Sequence, residues 1–118
     1  MLIENITRNT IIATDAQLAN TFFTRLKGLL GTEHLTFGSG LVIQPCYSIH
    51  TVGMKYPIDA LFMDQQDRVM KCVMNMPAGK FSICSNSRYV IELPAGTIAA
   101  TGTSLGDILT LVKKATTP

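Results

Sequence analysis

The sequence predicts a mainly β domain, an antiparallel β-barrel or sandwich with one amphipathic helix (about residues 15–30) packed on it. Three observations carry that prediction. Several short β-branched or apolar runs are punctuated by Gly, Pro, Asn and Asp, the pattern of strands and turns. In one stretch Leu18, Phe22, Leu26 and Leu29 recur at helical spacing. Alternating strand–helix units, which a doubly wound sheet requires, do not occur.

Met1 to Thr14 reads as a strand pair. Leu2, Ile3 and Ile6 lead into a polar turn at Thr7-Arg8-Asn9, and Thr10-Ile11-Ile12-Ala13 runs on from it. The helix follows, with Thr14 or Asp15 as N-cap and Gln17 placed as in a capping box. Ala19, Phe23 and Leu30 widen its apolar stripe. Arg25 and Lys27 fall late, where cations favour the helix dipole, and Gly28 and Gly31 offer stops.

After a connection from Glu33 to Gly40, Leu41-Val42-Ile43 is a short strand that ends before Pro45. Ser48-Ile49-His50-Thr51 is a second. Ile58 to Met63 and Arg68 to Met76 form the best hairpin, joined by the polar turn Asp64-Gln65-Gln66-Asp67. Strand alternation groups Ile58, Ala60 and Phe62 on one face and Asp59, Leu61 and Met63 on the other. In the partner strand it groups Met70, Cys72, Met74 and Met76. Ser82 to Arg88 reads as a loop, Tyr89 to Leu93 as a strand, Thr97 to Thr101 as one helical turn, and Ile108 to Val112 as the last strand.

The 118 residues fit a single domain, 1–118, with 113–118 as a flexible tail. Apolar residues make up 47% of the chain and charged residues 15%, enough apolar material for one core and too few charges for a disordered chain. The net charge of +2 comes from scattered Lys and Arg, without the dense basic stripe that nucleic acid requires. No apolar run approaches the roughly 20 residues of a membrane-spanning helix. Met1-Leu2-Ile3-Glu4-Asn5 lacks a basic n-region, so the expected location is the cytoplasm. Cys46, Cys72 and Cys84 lack C-x-x-C spacing and are expected to be reduced thiols.

The chemistry-bearing stretch is Cys46 to Asp59. His50 is a candidate general base or hydrogen-bonded anchor. Cys46 precedes it by four residues, a separation of roughly 13 Å in an extended chain, so the two meet only if the segment turns. No set of three or four converging ligands suggests a metal, and the Met residues read as core filler. Neither a phosphate loop nor a G-x-S-x-G elbow is present.

Asp59 and Glu92 are more informative. Each is a lone carboxylate in an apolar strand, where burial without a partner costs several kcal/mol. Each therefore needs a cation, a backbone donor or water. Arg25 is a candidate partner for either, with His50 and Lys55 as alternatives. The polar residues could form a structural cluster, or Asp59 and His50 could act as an acid/base pair.

Three motifs occur in order. They are Arg25-x-x-Gly28-Leu29-Leu30, then Ser48-Ile49-His50-Thr51-x-x-Met54-x-x-Pro57-Ile58-Asp59-x-x-Phe62, then Val90-x-Glu92-Leu93-x-Ala95-Gly96 with Gly106-Asp107. Together they make the chain, over roughly residues 10 to 112, resemble the domain of unknown function 192 family. The resemblance implies a small, mostly β domain with a helix and no established activity. It marks Arg25, His50, Met54, Pro57, Asp59, Glu92, Gly96 and Asp107 as motif positions. Many members carry a signal peptide or lipid anchor, a pattern this sequence does not display, in keeping with the cytoplasmic expectation.

The leading functional expectation is a small non-enzymatic β domain that binds a ligand or partner through the surface around His50 to Asp59. Arg25, His50, Met54, Asp59 and Glu92 are its binding candidates. One alternative is a hydrolase-type enzyme using His50 with Asp59 or Cys46. Another is an accessory protein of a cell-surface or secretion assembly. No cofactor and no metal are expected. The partner is an unspecified small molecule or protein, and the oligomeric state is left open.

Overall fold

Sheet pairing, more than local propensity, decides the architecture. A computed structural model describes residues 1–113; the expected tail falls beyond them except for Lys113, which is exposed. In chain order the elements are β1 (Leu2–Asn5), β2 (Thr10–Ala13), β3 (Asp15–Ala19), α1 (Phe22–Lys27), β4 (Ser39–Ile43) and β5 (Ser48–His50). They continue as β6 (Ile58–Met63), β7 (Val69–Met76), β8 (Phe81–Ile83), β9 (Tyr89–Pro94), α2 (Thr97–Thr101) and β10 (Leu109–Val112).

The described strands form three sheets, ordered β10-β1-β2, β3-β4-β9-β6-β7 and β5-β8. Every pairing is antiparallel except β3 with β4. The fold is mainly β, as expected. Among the described residues no sheet closes on itself, so the layers are sandwich-like and the barrel expectation is not met.

The central sheet separates two apolar clusters, as strand alternation requires. Leu61, Met63, Ile91 and Leu93 point to one side, where Ile3, Ile12, Ile98 and Leu109 from β1, β2, α2 and β10 cover them. Ile58, Ala60, Phe62 and Val90 point to the other, against Leu29, Ile49 and Met76. Phe62 is fully buried there, a contribution of roughly 2 kcal/mol from its apolar area alone.

The predicted helix over residues 15–30 is replaced by two elements. Residues Asp15–Ala19 extend as β3, in register with β4 from Asp15↔Ser39 to Ala19↔Ile43. The ladder satisfies backbone groups that a helix would have paired internally, and Ala16 and Ala19 fill the core. Only the six residues of α1 are helical. Thr21 is the true N-cap, exchanging reciprocal bonds with Thr24 as a capping box. The helix buries none of its residues: Phe22, Phe23 and Leu26 are 66%, 78% and 64% exposed, and only Leu29 beyond its end enters the core.

Two smaller differences lie in β7 and β8. Met76 leaves the face of Cys72, because Ala60↔Val73 and Ile58↔Met76 enclose an extra residue on β7, with Asn75 at φ 51°. That bulge turns Met74 outward and Met76 inward. Part of the expected loop after Ser82 belongs to β8, whose edge pairs with β5 from Ser48↔Ile83 to His50↔Phe81.

Candidate functional site

The second cluster is incomplete at one corner, and a small cavity of about 70 Å³ lies there. The stretch from Arg25 through Leu30 forms one wall. Ile43 and Glu92 of the central sheet, with Ile49 of β5, line it as well, and Cys46, Ser48, His50 and Met54 complete the lining. Gly28 caps α1 at φ 50°, ψ −128°, a conformation natural only to glycine. A Cβ at that position would lie 3.8 Å from Glu92 Oε1, so the chain crosses directly over the carboxylate.

Glu92 sits mid-sheet, opposite Leu41 of β4 and Ala60 of β6, and is only 5% exposed. Its carboxylate makes no hydrogen bond or ion pair with any described residue. Burial raises its pKa from 4.5 to about 7. Arg25 reaches Pro45 O through Nη1 at 3.3 Å. Its Nε, by contrast, is the one fully buried side-chain nitrogen or oxygen among the described residues without a hydrogen-bond partner. Two opposite charges thus line one cavity without being in ion-pair contact.

Cys46 lies between them in electrostatic terms. Burial pushes its thiol up most, the Ser48 backbone opposes that, Glu92 adds to the rise and Arg25 opposes it. The net direction is upward, so the thiol stays protonated at neutral pH, unlike a nucleophilic cysteine. His50 is exposed at the rim, with its ring 6.0 Å from that of Phe81 at a tilt of 42°. Met54 is half-buried and packs against the second cluster.

Asp59 belongs to the opposite face of the sheet. It is 0% exposed, yet its oxygens are fully occupied. Oδ1 accepts the Asn75 amide at 2.9 Å, and Oδ2 accepts those of Gly96 at 3.1 Å and Ile98 at 2.9 Å. It fixes the β7 bulge and the start of α2, where Gly96 takes φ 95°. Neither Arg25 nor His50 is among its partners. Pro57 is exposed just before β6, and Asp107 belongs to a separate cluster near the chain ends.

The structure therefore brings Arg25, Cys46, His50, Met54 and Glu92 to one cavity and leaves Asp59 outside it. Sequence reasoning missed the groove that adjoins the cavity, of about 710 Å³ and lined by Phe22, Leu26, Pro45, Tyr47 and Arg88 among others. It also missed Thr51, which is fully buried: its Oγ1 donates to Pro77 O at 2.6 Å and accepts the Lys80 amide at 2.9 Å. That bond set holds the His50 strand in place. Membership of the Ser48-Ile49-His50-Thr51 motif was the available signal. Among the described residues, no three His, Cys, Asp or Glu side chains gather as metal ligands would.

Comparison with known proteins gives a consistent picture. A family model described as an uncharacterized ACR, domain of unknown function 192, matches residues 3–111. A UPF0127 protein of Thermococcus sibiricus is 28% identical over 107 residues, spanning 87% of this chain and 70% of that one. A crystal structure of a protein of unknown function from Novosphingobium aromaticivorans shares 20% identity with a TM-score of 0.81, over 93% of this chain and 82% of that one. A crystal structure from Sinorhizobium meliloti shares 22% identity with a TM-score of 0.74, over 80% of this chain and 79% of that one. Both structural likenesses speak for the fold alone.

Proposed function

Because the chain belongs to the domain of unknown function 192 family, which is described only as uncharacterized, we propose its function from the geometry: a non-enzymatic domain that binds a small ligand in the cavity between α1 and the central sheet. One observation carries this reading. Arg25 and Glu92 line one cavity, and neither the Glu92 carboxylate nor the buried Arg25 Nε has a hydrogen-bond partner among the described residues. Native proteins rarely leave such groups unsatisfied, and a bound solute would supply what is missing. His50 and Met54 border the cavity, and Asp59 serves as a positioning residue that holds α2 and the β7 bulge.

The hydrolase reading finds less support. Cys46 is held as a thiol, and the Asp59 oxygens are engaged by backbone amides. The accessory-protein reading draws on the exposed side chains of Phe22, Leu26 and Tyr47 beside the groove, which a partner's apolar residues could cover.

A thermal-shift screen with a fragment and metabolite library tests the proposal. The expected hit raises the melting temperature of the wild-type protein by several degrees at saturating concentration and has no effect on Glu92→Ala or Arg25→Ala. Hits that stabilise all three proteins equally would place binding elsewhere. A library that stabilises none would remove the support for a small ligand.

A further inference from the structure

Resting on that ligand-binding reading, we infer that the cavity takes a neutral planar carboxamide group carried on an apolar body. Arg25 supplies only N–H donors, and Glu92 as a carboxylate supplies only acceptors. The guest must therefore present an acceptor toward Arg25 and a donor toward Glu92. A carboxamide meets the two demands with separate atoms, C=O for one and NH₂ for the other, which suits two side chains that are not in ion-pair contact.

Charge narrows the choice further. The opposed guanidinium and carboxylate sum to zero. A carboxylate guest would pair with Arg25 but face Glu92, and an ammonium guest would pair with Glu92 but face Arg25. A like charge in a poorly solvated space is strongly disfavoured. An amide satisfies both walls and adds no net charge.

Size and surroundings agree. A cavity of about 70 Å³ admits one small polar head group and not a whole ligand. The rest of the ligand must leave through the adjoining groove, which shares Arg25, Leu26, Cys46 and Ser48 with the cavity and continues past Phe22 and Tyr47. Its volume of about 710 Å³ falls within the range usual for small-molecule sites, and its aromatic lining suits a flat apolar body.

Three probes of one shape and different heads test the inference: benzamide, benzoate and benzylamine. Each is titrated at pH 7.5 while the backbone amide resonances of Arg25 and Gly28 are followed. Benzamide is expected to shift both resonances and to bind at least tenfold tighter than either charged probe. Arg25→Ala and Glu92→Ala, each checked for retained spectral dispersion, are expected to lose the shift. Glu92→Gln, which keeps a carbonyl acceptor and the volume, should weaken binding severalfold without abolishing it. Benzoate or benzylamine binding more tightly than benzamide at these resonances would overturn the carboxamide and leave the ligand-binding reading standing. Benzamide binding that is indifferent to both alanine variants would also overturn it. If no probe moves the resonances, the carboxamide falls, and the library screen alone decides the ligand-binding reading.

Discussion

Asp59 and Glu92 are one residue out of register on neighbouring strands, and that single step gives them opposite roles. Asp59 faces Leu93 and Ala60 faces Glu92, so the two carboxylates emerge on opposite sides of the sheet. Asp59 is saturated by three backbone amides, so Asp59→Ala leaves those donors unpaired. We expect a loss of about 3–5 kcal/mol in urea unfolding, and for Asp59→Asn about 2 kcal/mol, while probe binding by folded Asp59→Asn changes less than twofold. Glu92 behaves in the other sense. Its pKa is raised from 4.5 to about 7 by burial, so between those values the folded state holds a proton that the unfolded chain has released. Its contribution is fullest below about 4.5, declines as the pH rises to about 7, and is flat beyond; the total loss is on the order of 3 kcal/mol. Glu92→Gln is therefore expected to be more stable than wild type at pH 8 and close to it at pH 4.5, by melting temperature or urea midpoint. A wild-type advantage at pH 8 would contradict an unpartnered Glu92. At this scale the sequence was half legible. Two acids in oily strands announced a need for partners, but which face each one used depends on pairing register, which no single strand encodes.

At the scale of elements, tertiary pairing overrode periodicity. The stripe Leu18, Phe22, Leu26 matches helical spacing, yet Leu18 lies in β3 because the parallel edge of β4 was open to it, and Phe22 and Leu26 stay exposed on α1. The hairpin from β6 to β7 was legible because its turn residues and apolar runs agree, whereas β8 was not, since Phe81 and Ile83 stand among the Ser, Asn and Lys of an expected loop and are themselves exposed. A six-residue helix that buries nothing depends on its ends. Thr21→Ala removes the cap bond and should cost the helix about 1 kcal/mol. Local opening would rise about fivefold. Hydrogen exchange at the Arg25 and Gly28 amides, bonded to Thr21 O and Thr24 O, is expected to accelerate by that factor, with little change in the global urea midpoint. An equal fall in global stability would mean that α1 is more deeply coupled to the core than its exposure indicates. The cavity wall that carries Arg25 is this helix.

For the molecule as a whole, closure of the chain ends matters as much as the two cores. β1 pairs with β10, from Leu2↔Val112 to Asn5↔Leu109, and a buried polar knot locks that pairing. Asp107, 2% exposed, accepts Asn5 Nδ2 at 2.9 Å, the Ser104 amide at 3.0 Å and Arg8 Nε at 3.1 Å on a single oxygen. Burial alone would raise its pKa, but the bonds from Asn5, Ser104 and Arg8 outweigh that and hold it below the usual carboxylate range. A depressed folded value means stability that is present above the unfolded pKa of about 3.9 and is lost as the pH falls through the lower folded value. The sign is opposite to that of Glu92, so the two groups act on different limbs of the pH profile and can be separated. Asp107→Asn is expected to lose about 2 kcal/mol at pH 6 and to show a shallower decline between pH 4 and pH 2 than wild type, by urea unfolding at each pH. Because residues 5 and 107 close nearly the whole chain, that loss should appear in one transition seen alike by circular dichroism and tyrosine fluorescence. Two separated transitions would show instead that the outer sheet melts independently of the sheet that carries the cavity.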